Sequence, residues 1–218
     1  MSEHVLYEEL TPREFRARLA EAPVAYLPLG TLEWHGEHLP LGSDGIQSRE
    51  FFKRLAEKAG GIVLPMLFVG PDMHLEKNGQ DFYGMDILGF LGQEPRRLEG
   101  SAYRVDEDFF AELLQSILAL LKRAGFKVVV AHGHAPSTQC FNENAEKWSA
   151  ELGLKLVSCW RTPAEEMDGL GVQTDHAGAN ETSIMMAVRG DLVHMEYLDQ
   201  NPAVAPVAVD GGDPRTEA

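Results

Sequence analysis

Two cysteines in 218 residues, Cys140 and Cys159, exclude a disulfide-stapled scaffold, because one bridge is not a framework. Both read as small core residues. Long apolar runs are also missing. The longest, Val128–Ala131 with its neighbours, is far too short to span a bilayer, and Met1–Leu10 lacks the apolar stretch of a secretory signal. The expectation is a cytoplasmic chain with no membrane partner. Basic residues are scarce: 19 Lys and Arg stand against 34 Asp and Glu, a net charge of -15. So acidic a surface repels phosphate backbones and anionic lipid, which argues against nucleic acid as a partner. The same charge serves solubility or gathers cations near a site, and charge alone does not separate the two. Gly-rich phosphate loops are absent, and Ser137 has no Gly-x-Ser-x-Gly around it.

What is present alternates. Thr11-Pro12 opens a helix ended by Pro23, and residues 24–29 form a buried strand stopped by Gly30. After a polar loop over 31–45, Asp44 caps a helix to about Ala59 with Phe51, Phe52 and Leu55 inward, and Gly60-Gly61 closes it. Residues 62–66 read as a strand. Residues 70–103, rich in Gly, Asp, Glu and Pro, read as a long insertion or lid. Asp106 caps a helix over about Glu107–Arg123 with Leu113, Ile117, Leu120 and Leu121 on one face. A strand at 126–131, a helix at about 137–152 and a strand at 154–158 follow. Then come a loop at 161–176, a helix at 179–188 and a short strand at 191–194. Helices alternating with continuous apolar strands imply an α/β fold, a three-layer α/β/α sandwich on a mainly parallel sheet. No repeat or linker interrupts 1–218, so the chain reads as one domain.

Three polar clusters carry chemistry. In Gly30-Thr31-Leu32-Glu33-Trp34-His35-Gly36-Glu37-His38-Leu39-Pro40-Leu41-Gly42-Ser43-Asp44, Glu33 and His35 lie two apart and point to one side of an extended chain. Asp44 follows at a helix start. Carboxylates with imidazole suit Zn(II), Mn(II) or Fe(II), and an Asp can bridge two ions. Spacing alone leaves a second reading, a polar turn with a capping Asp. His132-Gly133-His134 follows the strongest strand, at the carboxyl end where open α/β sheets build their sites. A histidine satisfying a loop backbone group is the alternative there. In Asp175-His176-Ala177-Gly178-Ala179-Asn180-Glu181-Thr182-Ser183, His176 suits a proton shuttle and Glu181 a ligand, or merely a helix-start carboxylate.

Together these residues resemble the creatininase (creatinine amidohydrolase) family. Leu29–Gly36, His38–Leu41 and Asp44 look like its first motif, Gly133-His134 is similar to its Asn-Gly-His segment, and His176–Gly178 with Glu181–Ser183 resembles its late motif. The matches keep their order over residues 24–195. The resemblance implies two divalent ions per subunit, Zn, Mn or Fe: Glu33, Asp44 and His134 around one, His35 and Asp44 on the other, with Asp44 bridging. It makes His176 the acid/base and implies a homo-oligomer, often a hexamer in the family. The chain departs from the pattern at His132, where the family has Asn, and at Pro136, where creatininase proper has a ligand Glu. Glu181 is the substitute offered for that ligand, with a catalytic share. His132, Trp160 and His74 are the candidates for contacting substrate, though Trp160 equally suits a core or interface position. The chain stops at Asp213–Ala218, where a further C-terminal helix is expected. The expected activity is hydrolysis of a non-peptide C–N bond in a small amide: a creatinine-like lactam, a formylamino pyrimidine or a peptide-derived amide. A metal-assisted isomerase or lyase, and a non-catalytic oligomeric metal- or ligand-binding protein, are the alternatives.

Overall fold

The computed structural model describes residues 4–88, 92–159, 175–201 and 203–217. Its contacts group the chain into two units, each assembled from separate stretches: Met1–Thr31, Asp44–Pro71 and Tyr103–Trp160 in the first, and Leu32–Ser43, Asp72–Ala102 and Arg161–Ala218 in the second.

The first unit is a parallel sheet between helices. Helix α1 (Pro12–Glu21) begins on a capping box: the Glu14 amide donates to Thr11 Oγ1, and the Glu14 carboxylate accepts from the Thr11 amide. Strand β1 (Val24–Leu29), helix α2 (Ser43–Ala59), β2 (Ile62–Val63), α3 (Glu107–Ala124), β5 (Val128–Gly133), α4 (Ala135–Leu152) and β6 (Lys155–Ser158) complete it. The strand order is β2-β1-β5-β6, every pair parallel. Alternation along β1 shows the layers. Ala25, Leu27 and Leu29 pack in one core with residues of α3 and α4, while Val24 and Tyr26 pack with Phe52 and Ala56 of α2 in the other. Both faces of the sheet are therefore covered, as a parallel sheet requires.

Several boundaries differ from the sequence expectations. The strand expected over 62–66 is cut to two residues because Pro65 has no N–H. The Leu64 amide still reaches Tyr26 O, and pairing resumes at Leu67, which donates to Pro28 O. Strand β5 runs on through His132 and Gly133, in register with Pro28 and Leu29 of β1. Only glycine fits at 133: φ is +148°, and a Cβ there would lie 1.8 Å from Leu29 O. Asp44 falls within the first turn of α2, which starts at Ser43. The buried row of α3 is Phe110, Leu114, Leu118 and Leu121, so the expected face is rotated and Leu120 is 62% exposed.

In the second unit, residues expected as a lid contain a hairpin, β3 (His74–Lys77) and β4 (Gln80–Tyr83), turned by Asn78-Gly79 with both φ angles positive. Helix α5 spans Ala179–Arg189 and a short α6 spans Pro214–Glu217. A 3₁₀ turn at Gly190–Leu192 occupies part of the stretch expected as a strand. Trp34, Met85, Leu88 and Ala208 form a small core, and Trp34 Nε1 donates to Val207 O at 3.1 Å. Among the described residues no helix is long and apolar enough to cross a membrane.

Candidate metal centre

In the first unit the sheet register sets one group of ligand-type side chains. His134 follows β5 directly, and its amide reaches back to Leu29 O. Its Nδ1 lies 3.0 Å from Oδ2 of Asp44, and both side chains are 4% exposed. His132 is tied to the same helix turn. Its Nδ1 lies 2.7 Å from Ser48 Oγ, which in turn donates to Asp44 O at 2.6 Å. A hydroxyl has one proton, already given to the carbonyl, so His132 Nδ1–H is the donor. The His132 ring is 2% exposed against Phe51 and Phe52. Burial pushes its pKa below the usual histidine value, against the pull of Asp44.

In the second unit a loop closed by the Glu33 amide on Leu41 O presents Glu33 and His35. His35 Nδ1 is 3.0 Å from Glu33 O, and a carbonyl can only accept, so Nδ1 carries the proton. His35 Nε2 faces Oε1 of Glu181, 3.6 Å away, with both side chains 0% exposed. Glu181 is oriented by its own helix start. Its Oε2 accepts from the Ala177 amide at 2.6 Å, and Asp175 receives the amides of Asn180 and Glu181. Burial raises the Asp175 pKa, and those two amides oppose the rise. His176 Nε2 donates to Trp34 O at 2.7 Å, and its ring centroid is 4.4 Å from that of His35. Glu33, His35 and His176 each offer one ligand atom, all within 4.8 Å of one another.

The His35–Glu181 contact tests whether a cation fits. An imidazolium–carboxylate hydrogen bond closes to about 2.7–2.9 Å. At 3.6 Å the pair is too long for that bond. A divalent ion bonded to each at about 2.0–2.2 Å spans such a separation with ordinary tetrahedral geometry. The donor set, imidazole and carboxylate, suits Zn(II) or Mn(II).

The other expected residues are placed differently. His74 lies on the hairpin, bonded to Asp81 at 2.7 Å and stacked on Tyr83. Trp160 lies outside the described residues. Sequence reasoning missed Asp72. A Cβ on Gly84 (φ +52°) would lie 2.3 Å from Asp72 Oδ2 and 2.6 Å from Glu33 Oε1, so both carboxylates rest against that glycine. It also gave no partner to His38, whose Nε2 is 2.8 Å from Thr182 Oγ1. No local spacing signals either contact.

A parallel α/β sandwich with buried imidazole and carboxylate side chains defines a candidate metal-binding protein. Comparison with known proteins narrows the class. Residues 8–216 match the family model for creatininase, creatinine amidohydrolase. The chain is similar to the creatinine amidohydrolase of Pseudomonas putida, with 30% identity over 94% of this chain and 80% of that protein. It is also similar to the 3-dehydro-scyllo-inosose hydrolase of Thermotoga maritima, 24% identical over 60% of this chain and 36% of that protein. Among solved structures, a creatinine amidohydrolase superimposes with a TM-score of 0.67 at 28% identity, covering 94% of this chain and 80% of that one. A mutant creatininase of Zn-Zn type gives 0.68 at 27% identity, covering 94% and 81%. A manganese creatininase gives 0.66 at 27%, covering 93% and 80%. The chain belongs to the creatininase family.

Proposed function

We propose that the chain is a metal-dependent amidohydrolase, one domain over 1–218, that cleaves a non-peptide C–N bond in a small amide. The observation that carries this reading is the buried His35 Nε2–Glu181 Oε1 pair, held 3.6 Å apart with His35 Nδ1 fixed as a donor by Glu33 O. Glu33, Asp44 and His134 would hold one ion, and His35, Asp44 and Glu181 the other, with Glu181 offered in the place left by Pro136. The zinc and manganese forms of the solved relatives support the choice of metals. When bound, two ions lower the pKa of a shared water and polarise the scissile carbonyl.

The chain's own residues supply the rest. His134 Nδ1 lies 3.0 Å from Asp44 Oδ2, so the imidazole and the carboxylate are held side by side as would-be ligands. His132, through Ser48, fixes the helix turn that carries Asp44. His176 gives its Nε2 proton to Trp34 O, so Nδ1 is the nitrogen that takes a proton from the nucleophile and returns it to the leaving amine. The substrate is a small molecule. Two relatives named for different substrates, creatinine and 3-dehydro-scyllo-inosose, leave the choice within the family open.

Metal content per chain tests the reading, by elemental analysis of the wild type, Glu33→Ala and Asp44→Ala. The expected result is about two ions in the wild type and loss in both variants, with His176→Ala keeping its metal while losing turnover on a panel of lactams and formamides. No metal after reconstitution with Zn(II), Mn(II) or Fe(II) would sink it. A product with unchanged mass, rather than one heavier by a water, would replace hydrolysis with isomerisation.

A further inference from the structure

We propose that the hydrogen bond between His38 and Thr182 is a latch that sets Glu181 against His35 and thereby creates the second metal position. The inference rests on the metal reading above and assigns positioning roles to two residues that touch no ion. His38 lies on the loop that carries His35, and Thr182 directly follows Glu181 on α5. Their bond, Nε2 to Oγ1 at 2.8 Å, joins segments 144 residues apart in sequence. Both ends are buried, His38 at 1% exposure and Thr182 at 0%. The His38 carbonyl accepts from the His194 amide at 2.9 Å, so the chain just beyond α5 is tied to the same residue. Gly36 makes room for the ring: its φ is +70°, and a Cβ there would lie 2.8 Å from His38 Nδ1.

The need for such a latch follows from where the ligands come from. The carboxylate that faces His35, that of Glu181, comes from a helix distant in sequence. Glu181 is oriented within its own turn by the Ala177 amide, but that bond says nothing about its distance to His35. Metal bonds tolerate errors of only about 0.2 Å, so the separation between loop and helix must itself be held. The His38–Thr182 bond, one residue from Glu181 and three from His35, is placed to hold it.

The test is Zn(II) titration of metal-stripped protein against a chromophoric chelator, for the wild type, Thr182→Val, Thr182→Ser and His38→Gln. Valine keeps the volume of threonine and removes the hydroxyl, whereas serine keeps it. The expected result is two sites in the wild type. In Thr182→Val one site should keep its affinity while the other weakens about tenfold or more, the scale seen when a support of a metal ligand is lost, and Thr182→Ser should restore it. A purely structural role would lower the melting temperature without splitting the two sites. Two wild-type affinities in folded Thr182→Val, or equal loss of both, overturns the latch alone. A wild type that takes no metal overturns the metal reading and the latch with it. Should Thr182→Val not fold, His38→Gln is read by the same outcomes from the other side of the bond.

Discussion

At the scale of single residues, protonation state is as consequential as position. His35 and His132 each have one nitrogen fixed as a donor, by a carbonyl and by a committed hydroxyl. His38 differs in that its titration carries a measurable cost. Burial first, and the neighbouring His35 second, lower its pKa to about 4 from the usual 6.5. Between those values the unfolded chain binds a proton that the folded chain refuses, so stability is full above about pH 6.5 and falls as the pH drops toward 4. The displacement sets an upper figure of about 3 kcal/mol for the loss. We expect the urea midpoint of metal-free wild type to fall more steeply between pH 7 and pH 4.5 than that of His38→Gln, which has no proton to take up. Parallel profiles for the two proteins would show that His38 does not titrate in this window.

Elements are stabilised here by side chains reaching across from neighbours. Arg18 of α1, 6% exposed, donates from Nε to Gly61 O at 3.0 Å and from Nη2 to Ala56 O at 3.1 Å. It thus satisfies the Gly61 carbonyl just past α2 and places its positive charge at the C-terminal end of that helix, where Ala56 O already accepts the Gly60 amide. Arg18→Leu keeps the apolar stem and takes the guanidinium donor from the Gly61 carbonyl, while Ala56 O keeps the Gly60 amide, a cost of about 1–3 kcal/mol. Chemical denaturation should show it as a lower midpoint with an unchanged slope, and a change below about 0.5 kcal/mol would mean that water takes over the Gly61 carbonyl. Much at this scale was legible in the sequence: Thr11-Pro12 and Gly125 mark helix ends, and the apolar runs of β1 and β5 mark the central strands. Asn78-Gly79 was legible too, since that pair is a strong hairpin signal, but it was submerged in a stretch that reads as an insertion. The rotation of α3 was not. Its apolar residues wrap more than one face, and only packing against the sheet selects the row from Phe110 to Leu121. The early end of β2 follows from Pro65 once the partner strand is known.

For the whole molecule, the clusters at 33–44, 132–134 and 175–183 stood out in the sequence because ligand-type residues there are dense and follow strand ends. What the sequence could not show is which partner each one has. Asp175 as a helix cap, His38 on Thr182 and Asp72 near Glu33 join positions far apart in number, and a single sequence carries no pairing signal for them. The degree of burial was also hidden, and it bears on stability. Glu33, His35, Asp44, His134 and Glu181 are each no more than 4% exposed, so a cation that such side chains bound would be coupled to the folded state. An ion that binds the folded chain and not the unfolded one stabilises by an amount that grows with the logarithm of its concentration over its dissociation constant, about 2.7 kcal/mol at a hundredfold excess. For a chain of this length each kcal/mol moves the melting temperature by about 2–4 °C, so stripping the metal should lower it by about 5–10 °C and returning Zn(II) or Mn(II) should restore it. Asp44→Ala separates this from a general effect of the chelator: its melting temperature should respond to neither treatment. A wild-type melting temperature indifferent to both chelator and metal would mean that the buried carboxylates and imidazoles are reconciled by protons instead, and that the family's metal chemistry is not carried by this chain.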